Sequence, residues 1–247
     1  MTVLKVACFL NTHPSSGDLG MDYDQWHKAY RTFLLHSIIA SGHAIELDYH
    51  AFDPIKAQVY PSTDDLNSFD LILLTGGTDH LYQDIPWVAK MVSFLQDVVQ
   101  NHTCKVIAIC WGFQAVAAAC GGQVMENTKG LEVGITPVTL NEKGSAFFHR
   151  GPQLRIHQVH KRIISKLPDG FQLLGSSDKT ENQIAMLPGR ILCFQGHPEL
   201  TEAILRVCLS DTSHFGKQPV DEQLDEHDGI EIGARLVEWL VSDTPVV

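Results

Sequence analysis

A thiol on a tight turn between an apolar strand and a helix is suited to covalent acyl chemistry, and residues 105–114 (KVIAICWGFQ) have the composition for such a turn at Cys110. Ala108 and Gly112 flank the cysteine at the two positions where a larger side chain would collide with a strained elbow. At the start of the following helix, free N–H groups can bind a developing oxyanion, and the partial positive charge of the helix terminus favours a negative sulfur. Most free cysteines are simply small buried residues, the role expected for Cys8, Cys104 and Cys193. On this segment alone the two readings of Cys110 stand about even.

Residues 193–200 (CFQGHPEL) carry what a thiol nucleophile would need. Pro198 restricts His197 to extended backbone, and side chains two apart in extended backbone point to the same side. Glu199 can then accept a hydrogen bond from one imidazole nitrogen, leaving the other to serve Cys110 as general base and acid. With 13 histidines in the chain, His-Pro-Glu could equally be a surface turn. Its combination with Cys110, and with Gly76-Gly77 at the end of another apolar run, raises its weight. That glycine turn can offer a second N–H to an oxyanion.

The elements that would position these groups follow from hydropathy. Residues 3–10, 44–52, 70–75 and 105–109 read as strands, and residues 23–40, 88–99 and 112–119 as helices, with Pro86 near a helix start and Ser41-Gly42 as a helix stop. Strands alternating with helices imply an open, mostly parallel sheet flanked by helices. Past Gly121 the pattern becomes strand-rich: residues 130–140, 153–160, 171–176, 182–186 and 190–195 read as strands, followed by helices at 201–209 and 230–241 around an acidic stretch, 211–228. One domain is expected over residues 1–247.

Lys and Arg total 18 against 29 Asp and Glu, a net charge of -11 that disfavours nucleic acid as a partner. The six cysteines lack the spacing of a zinc site or a disulfide framework, and no apolar run reaches the ~20 residues of a membrane helix. A cytoplasmic protein without membrane association is expected. His157 and His160 have no matching ligands nearby, and are expected in a substrate loop or at the surface. Neither Gly76-Gly77 nor Gly121-Gly122 is followed by the Lys-Ser/Thr of a phosphate loop, so neither metal nor nucleotide is expected as a cofactor.

The strings LLTGG (73–77), CWGFQ (110–114) and GHPE (196–199) together resemble the class I (triad) glutamine amidotransferase family, with Gly121-Gly122 and GLEVG (130–134) also similar. The likeness is greatest to standalone GMP-synthase-like amidotransferases and implies their flavodoxin-like architecture. It implies Cys110, His197 and Glu199 as a catalytic triad, main-chain N–H groups of Gly77 and Trp111 as the oxyanion hole, and a glutamyl thioester on the cysteine. Substrate would be bound by Gly76, Gln114, Val159, His160 and Arg162. The implied reaction releases glutamate and ammonia from glutamine, with an ammonia-accepting synthase as the implied partner. A γ-glutamyl peptide hydrolase, and a non-catalytic binding subunit of the same fold, are the competing readings. Two positions depart from the family pattern: Ala108 stands where Gly is usual, and Arg162 stands where the substrate loop usually carries Asp. Arg162 would repel an α-amino group and favour a carboxylate, with Arg155 and Lys161 able to assist.

Overall fold

The computed structural model describes residues 2–12, 21–210 and 227–242. Four segments form one side of a nine-stranded sheet: β1 (Thr2–Phe9), β2 (Ile45–Phe52), β3 (Leu71–Leu74) and β4 (Lys105–Ile109). The chain continues through β5 (Gln123–Glu126), β6 (Glu132–Leu140), β7 (Gln153–His160), β8 (Arg162–Lys166), β9 (Gln172–Ser176), β10 (Ile184–Leu187) and β11 (Ile191–Phe194). The strand order is β2-β1-β3-β4-β11-β10-β9-β6-β7, and β5 and β8 form a separate ribbon. From β2 to β11 neighbours run parallel, and the extension from β10 to β7 is antiparallel. The expected α/β class holds, and the strand-rich second half continues the first half's sheet.

Period-2 alternation sends side chains to two cores. Leu4, Val6 and Cys8 of β1, Leu71 and Leu73 of β3, and Ile107 and Ile109 of β4 meet Trp26, Tyr30 and Phe33 of α1 (Tyr23–Ser41) and Leu236 and Trp239 of α7 (Gly229–Val241). The opposite side chains, Ala7, Phe9, Ile72, Leu74, Val106 and Ala108, meet Trp87, Met91 and Leu95 of α3 (Pro86–Asn101) and Phe113 and Val116 of α4 (Trp111–Ala119). Helix α1 is closed by a capping box between Asp22 and Gln25 and by Gly42 in the left-handed region, and α3 has Pro86 in its first turn as expected.

Four elements were not expected: α2 (Thr63–Leu66), α5 (Glu142–Phe148), β5 and β8. In α5 the signal was present: the Asn141 side chain accepts from the Gly144 N–H at 2.9 Å. The last two helices lie near their expected places, α6 (Glu202–Ser210) and α7. Most of the acidic stretch between them lies outside the described residues. Among the described residues no helix is long and apolar enough to cross a membrane.

Candidate active site

Strand β4 ends at Ile109 and α4 begins at Trp111, so Cys110 alone makes the turn. Its backbone sits at φ 50°, ψ −103°, a conformation costing a non-glycine residue about 1–3 kcal/mol and held only where surroundings over-determine it. Here the Cys110 N–H donates to the Phe194 carbonyl at 2.7 Å, and the Gly112 N–H donates to the Thr75 carbonyl at 3.2 Å. A Cβ on Gly112 would lie 2.7 Å from Leu74 Cβ, so the helix can start this close to β3 only with glycine there. Ala108 is fully buried in β4 between Leu74 of β3 and Cys193 of β11, its methyl accommodated beside the elbow.

Strand β11 delivers His197 to the same edge. The His197 N–H donates to the His157 carbonyl at 2.8 Å in an isolated bridge to β7, which fixes the backbone at the imidazole. His197 Nδ1 lies 2.8 Å from Glu199 Oε1, and the Tyr30 hydroxyl donates to that oxygen at 3.4 Å. Nε2 is buried and makes no hydrogen bond of normal geometry, but the Cys110 sulfur is close enough to act on it. A Cβ built on Gly76 would stand 3.8 Å from both Cys110 Cβ and His197 Nε2, so the thiol and ring share one small space. Burial pushes the imidazole pKa down, but the Glu199 carboxylate and the Cys110 sulfur outweigh it and raise the pKa to about 10.

The loop after β3 is held from β1. The Asn11 N–H donates to Thr75 Oγ1 at 2.9 Å, Asn11 Nδ2 to the Thr75 carbonyl at 3.1 Å, and Thr12 Oγ1 to the Gly76 carbonyl at 3.0 Å. A Cβ on Gly77 would overlap the Asn11 carbonyl oxygen and come within 3.1 Å of Trp111 Cγ. The Trp111 side chain is fully buried, stacked near Trp87 and donating Nε1–H to the Asp79 carbonyl at 2.8 Å, so it anchors the loop to the helix.

Beside Cys110 lies a small cavity of ≈ 60 Å³, lined by Gly77, Thr78, Cys110, Gln114, Val159, His160, Lys161 and Arg162. By the same measure a water needs roughly 10–15 Å³, so the space suits the end of a side chain and not a whole peptide. Of the residues expected here, Gly77, Gln114, Val159, His160 and Arg162 come together, whereas Gly76 is packed between Cys110 and His197. Arg155, considered alongside Arg162, is not among the lining residues. It lies in β7, seven positions before Arg162, with its N–H donating to Asp228. His157 is not at the surface: it is fully buried, with Nδ1 3.0 Å from the Leu200 carbonyl, and braces the segment that carries His197 and Glu199.

Sequence reasoning assigned no role to Glu132, which does not line the cavity but stands against His160, which does. It is buried and accepts from Ser177 Oγ (2.7 Å), Thr180 Oγ1 (2.7 Å) and Gln183 Nε2 (3.0 Å), with His160 Nε2 at 3.4 Å. His160 Nε2 also lies 3.0 Å from Gln158 Oε1. Burial first, then repulsion from His197, lowers the His160 pKa to about 3 despite an opposing backbone hydrogen bond, so the ring is neutral. At the front, the Arg162 guanidinium donates to the Thr78 carbonyl at 3.4 Å and the Asp79 carbonyl at 3.1 Å.

Known proteins resemble this chain in sequence and in fold. The model for the class I glutamine amidotransferase family matches residues 26–205. A glutamine amidotransferase-like protein of Schizosaccharomyces pombe is 37% identical over 67% of this chain and 68% of its own, and the glutamine amidotransferase-like protein chry6 of Gibberella zeae is 34% identical over 81% and 83%. Gamma-glutamyl peptidase 2 of Arabidopsis thaliana is 28% identical over 59% and 60%. In fold, a glutamine amidotransferase from Methylobacillus flagellatus superimposes with a TM-score of 0.75 at 16% identity, covering 99% of this chain and 98% of that one. A sheet that ends four parallel strands beside one strained cysteine, a His-Pro-Glu segment laid against it and a family match across this whole region lead to one assignment: the chain belongs to the class I glutamine amidotransferase family.

Proposed function

We propose that this chain hydrolyses γ-glutamyl amides, glutamine being the reference substrate, with Cys110 as nucleophile, His197 as acid and base, and Glu199 as the group that orients and charges the imidazole. The observation that carries the reading is the strained Cys110 sharing one small space with the His197 ring, whose Nδ1 lies 2.8 Å from Glu199 Oε1. A His197 pKa near 10 means that the ring is protonated at neutral pH, so an imidazolium stands beside the sulfur that attacks as its thiolate. The thiolate adds to the amide carbon, and main-chain N–H groups of Gly77 and Trp111 take the negative charge on oxygen. As the C–N bond breaks, Nε2–H protonates the departing ammonia. The neutral ring then removes a proton from water, whose oxygen displaces sulfur from the thioester, giving glutamate and restoring the thiolate. Ammonia passes to a synthase partner or to solvent.

The test is ammonia release from glutamine by the purified chain and by Cys110→Ser. Cys110-dependent release supports the triad; equal release from both proteins, or from neither, would reject it and favour a non-catalytic subunit of the same fold. A second reading, hydrolysis of γ-glutamyl peptides, draws support from Lys161 and Arg162 at the cavity, where a leaving peptide's carboxylates could be met. It requires a higher kcat/KM for γ-glutamyl peptides than for glutamine, and the reverse order would exclude it.

A further inference from the structure

His197 and Glu199 stand on a stretch of chain that belongs to no regular element: β11 ends at Phe194 and α6 begins at Glu202. The 2.8 Å contact between His197 Nδ1 and Glu199 Oε1 therefore depends on what holds this backbone from outside. One residue of β7 meets both ends of it. The His157 carbonyl accepts from the His197 N–H at 2.8 Å, and His157 Nδ1 lies 3.0 Å from the Leu200 carbonyl. A carbonyl can only accept, so the proton of the second contact is on Nδ1. His157 is fully buried, and its ring faces the His227 ring with centroids 4.1 Å apart and planes inclined by 34°. Burial first, then His157, lowers the His227 pKa to about 4 against the pull of Asp228, Glu231 and Glu199, so the stacked partner is uncharged at neutral pH. A Cβ on Gly229 would overlap the Pro198 carbonyl oxygen, so the first turn of α7 lies directly against the same stretch. Turning the Leu200 peptide would break the imidazole contact and carry the neighbouring Glu199 with it.

We propose that the His157 imidazole is a positioning residue for the triad: it donates Nδ1–H to the Leu200 carbonyl while the His157 carbonyl takes the His197 N–H, and this grip on both ends of residues 197–200 sets the contact between Glu199 and His197. This rests on the hydrolytic reading above and adds to its machinery a side chain that touches no reacting atom. Misplacing a catalytic group by about 1 Å can cost on the order of a hundredfold in rate. With the Leu200 end released, the Glu199 carboxylate loses its fixed place beside Nδ1–H and with it part of its hold on the imidazolium. None of residues 197–200 lines the cavity, so the loss falls on kcat and not on KM.

Two variants of the full chain separate the donor from the ring. His157→Phe keeps a ring against His227 and loses the donor, whereas His157→Asn gives up the ring and keeps an N–H about where Nδ1 stands. Both replacements are uncharged, so an effect of charge would move the two variants alike. In ammonia release from glutamine, His157→Phe should lower kcat about tenfold or more with KM changed less than about twofold, and His157→Asn should keep kcat within about threefold of the unmodified protein. Carbon-13 at His197 Cε1 should titrate about one unit lower in His157→Phe and near the unmodified value in His157→Asn. Nitrogen-15 spectra of the unmodified protein should show His157 protonated on Nδ1, a readout that requires no variant to fold. The reverse order of the two variants, equal kcat in both, a loss confined to KM, or His157 protonated on Nε2 alone overturns the proposal. Absence of ammonia release from the unmodified protein would instead reject the hydrolytic reading, and the His197 titrations would then decide: a lower pKa in His157→Phe than in His157→Asn upholds the positioning role, and equal values overturn it.

Discussion

Replacing Glu199 by Gln removes one charge while keeping an oxygen able to accept from His197 Nδ1–H. In the native site that carboxylate is the main influence raising the imidazole pKa against a burial effect that acts downwards, and the balance lies near 10. Without the charge, burial is opposed mainly by the Cys110 sulfur, and the pKa should fall towards the ordinary value of about 6.5. At pH 8 a group with pKa near 10 is about 99% protonated and one at 6.5 only about 3%. The population of protonated imidazole beside Cys110 should therefore drop by up to about thirtyfold, and kcat/KM with it. The alkaline limb of the pH–rate profile, expected above pH 9 in the unmodified protein, should move down by at least two units. Carbon-13 labelling of histidine Cε1 reads the titration directly. The shift also has a consequence for stability, bounded at about 5 kcal/mol for 3.5 units. Because the folded pKa is raised above the unfolded one, this contribution is fully present below about pH 6.5 and is lost as pH rises through 10. The stability gap between the two proteins should thus be widest near pH 6 and shrink towards pH 10. An alkaline limb at the same pH in both proteins, or a His197 resonance that titrates near 6.5 before the substitution, would refute the reasoning.

Two substitutions probe the surroundings. Gly77→Ala places a methyl on the Asn11 carbonyl oxygen and against Trp111, so the oxyanion loop must shift; kcat should fall about 10²–10³-fold, with a stability loss of about 1–3 kcal/mol in urea denaturation. Unchanged kcat would remove Gly77 from the oxyanion hole. Glu132→Ala leaves Ser177, Thr180, Gln183 and His160 without their shared acceptor and should cost about 3–5 kcal/mol, whereas Glu132→Gln should cost less because an oxygen remains. A loss under about 1 kcal/mol for the alanine variant would mean that water replaces the carboxylate.

Much of the frame was legible because the pattern was dense. β1, β3 and β4 are apolar on both faces, α1 has a capping residue at one end and glycine at the other, and the three site strings each end a strand, where an open α/β sheet gathers its loops. Pro198 made the His197–Glu199 contact readable, since it fixes the backbone that points both side chains the same way. What escaped lacks periodicity. Three of the four residues of β5 are exposed, and its pairing with β8 spans 36 to 43 residues, so only the tertiary contact makes it a strand. Asn11 and Thr12 sat in what looked like plain loop, although their hydrogen bonds to residues 75 and 76 hold the glycine turn in place.

Arg162 links these two outcomes. Its identity was visible, but its effect depended on register: as the first residue of β8, opposite Glu126, it stands where its guanidinium reaches the Thr78 and Asp79 carbonyls instead of solvent. Had β8 begun one residue later, the pleat would have turned that side chain to the other face and left the cavity with Lys161 alone at its rim. The proposed triad and the charge at the pocket's rim therefore have different origins in the chain. Local strings with stiff backbones build the first, so it can be read residue by residue. Pairing between two weak strands builds the second, and the charge presented to a substrate is fixed only once the ribbon closes.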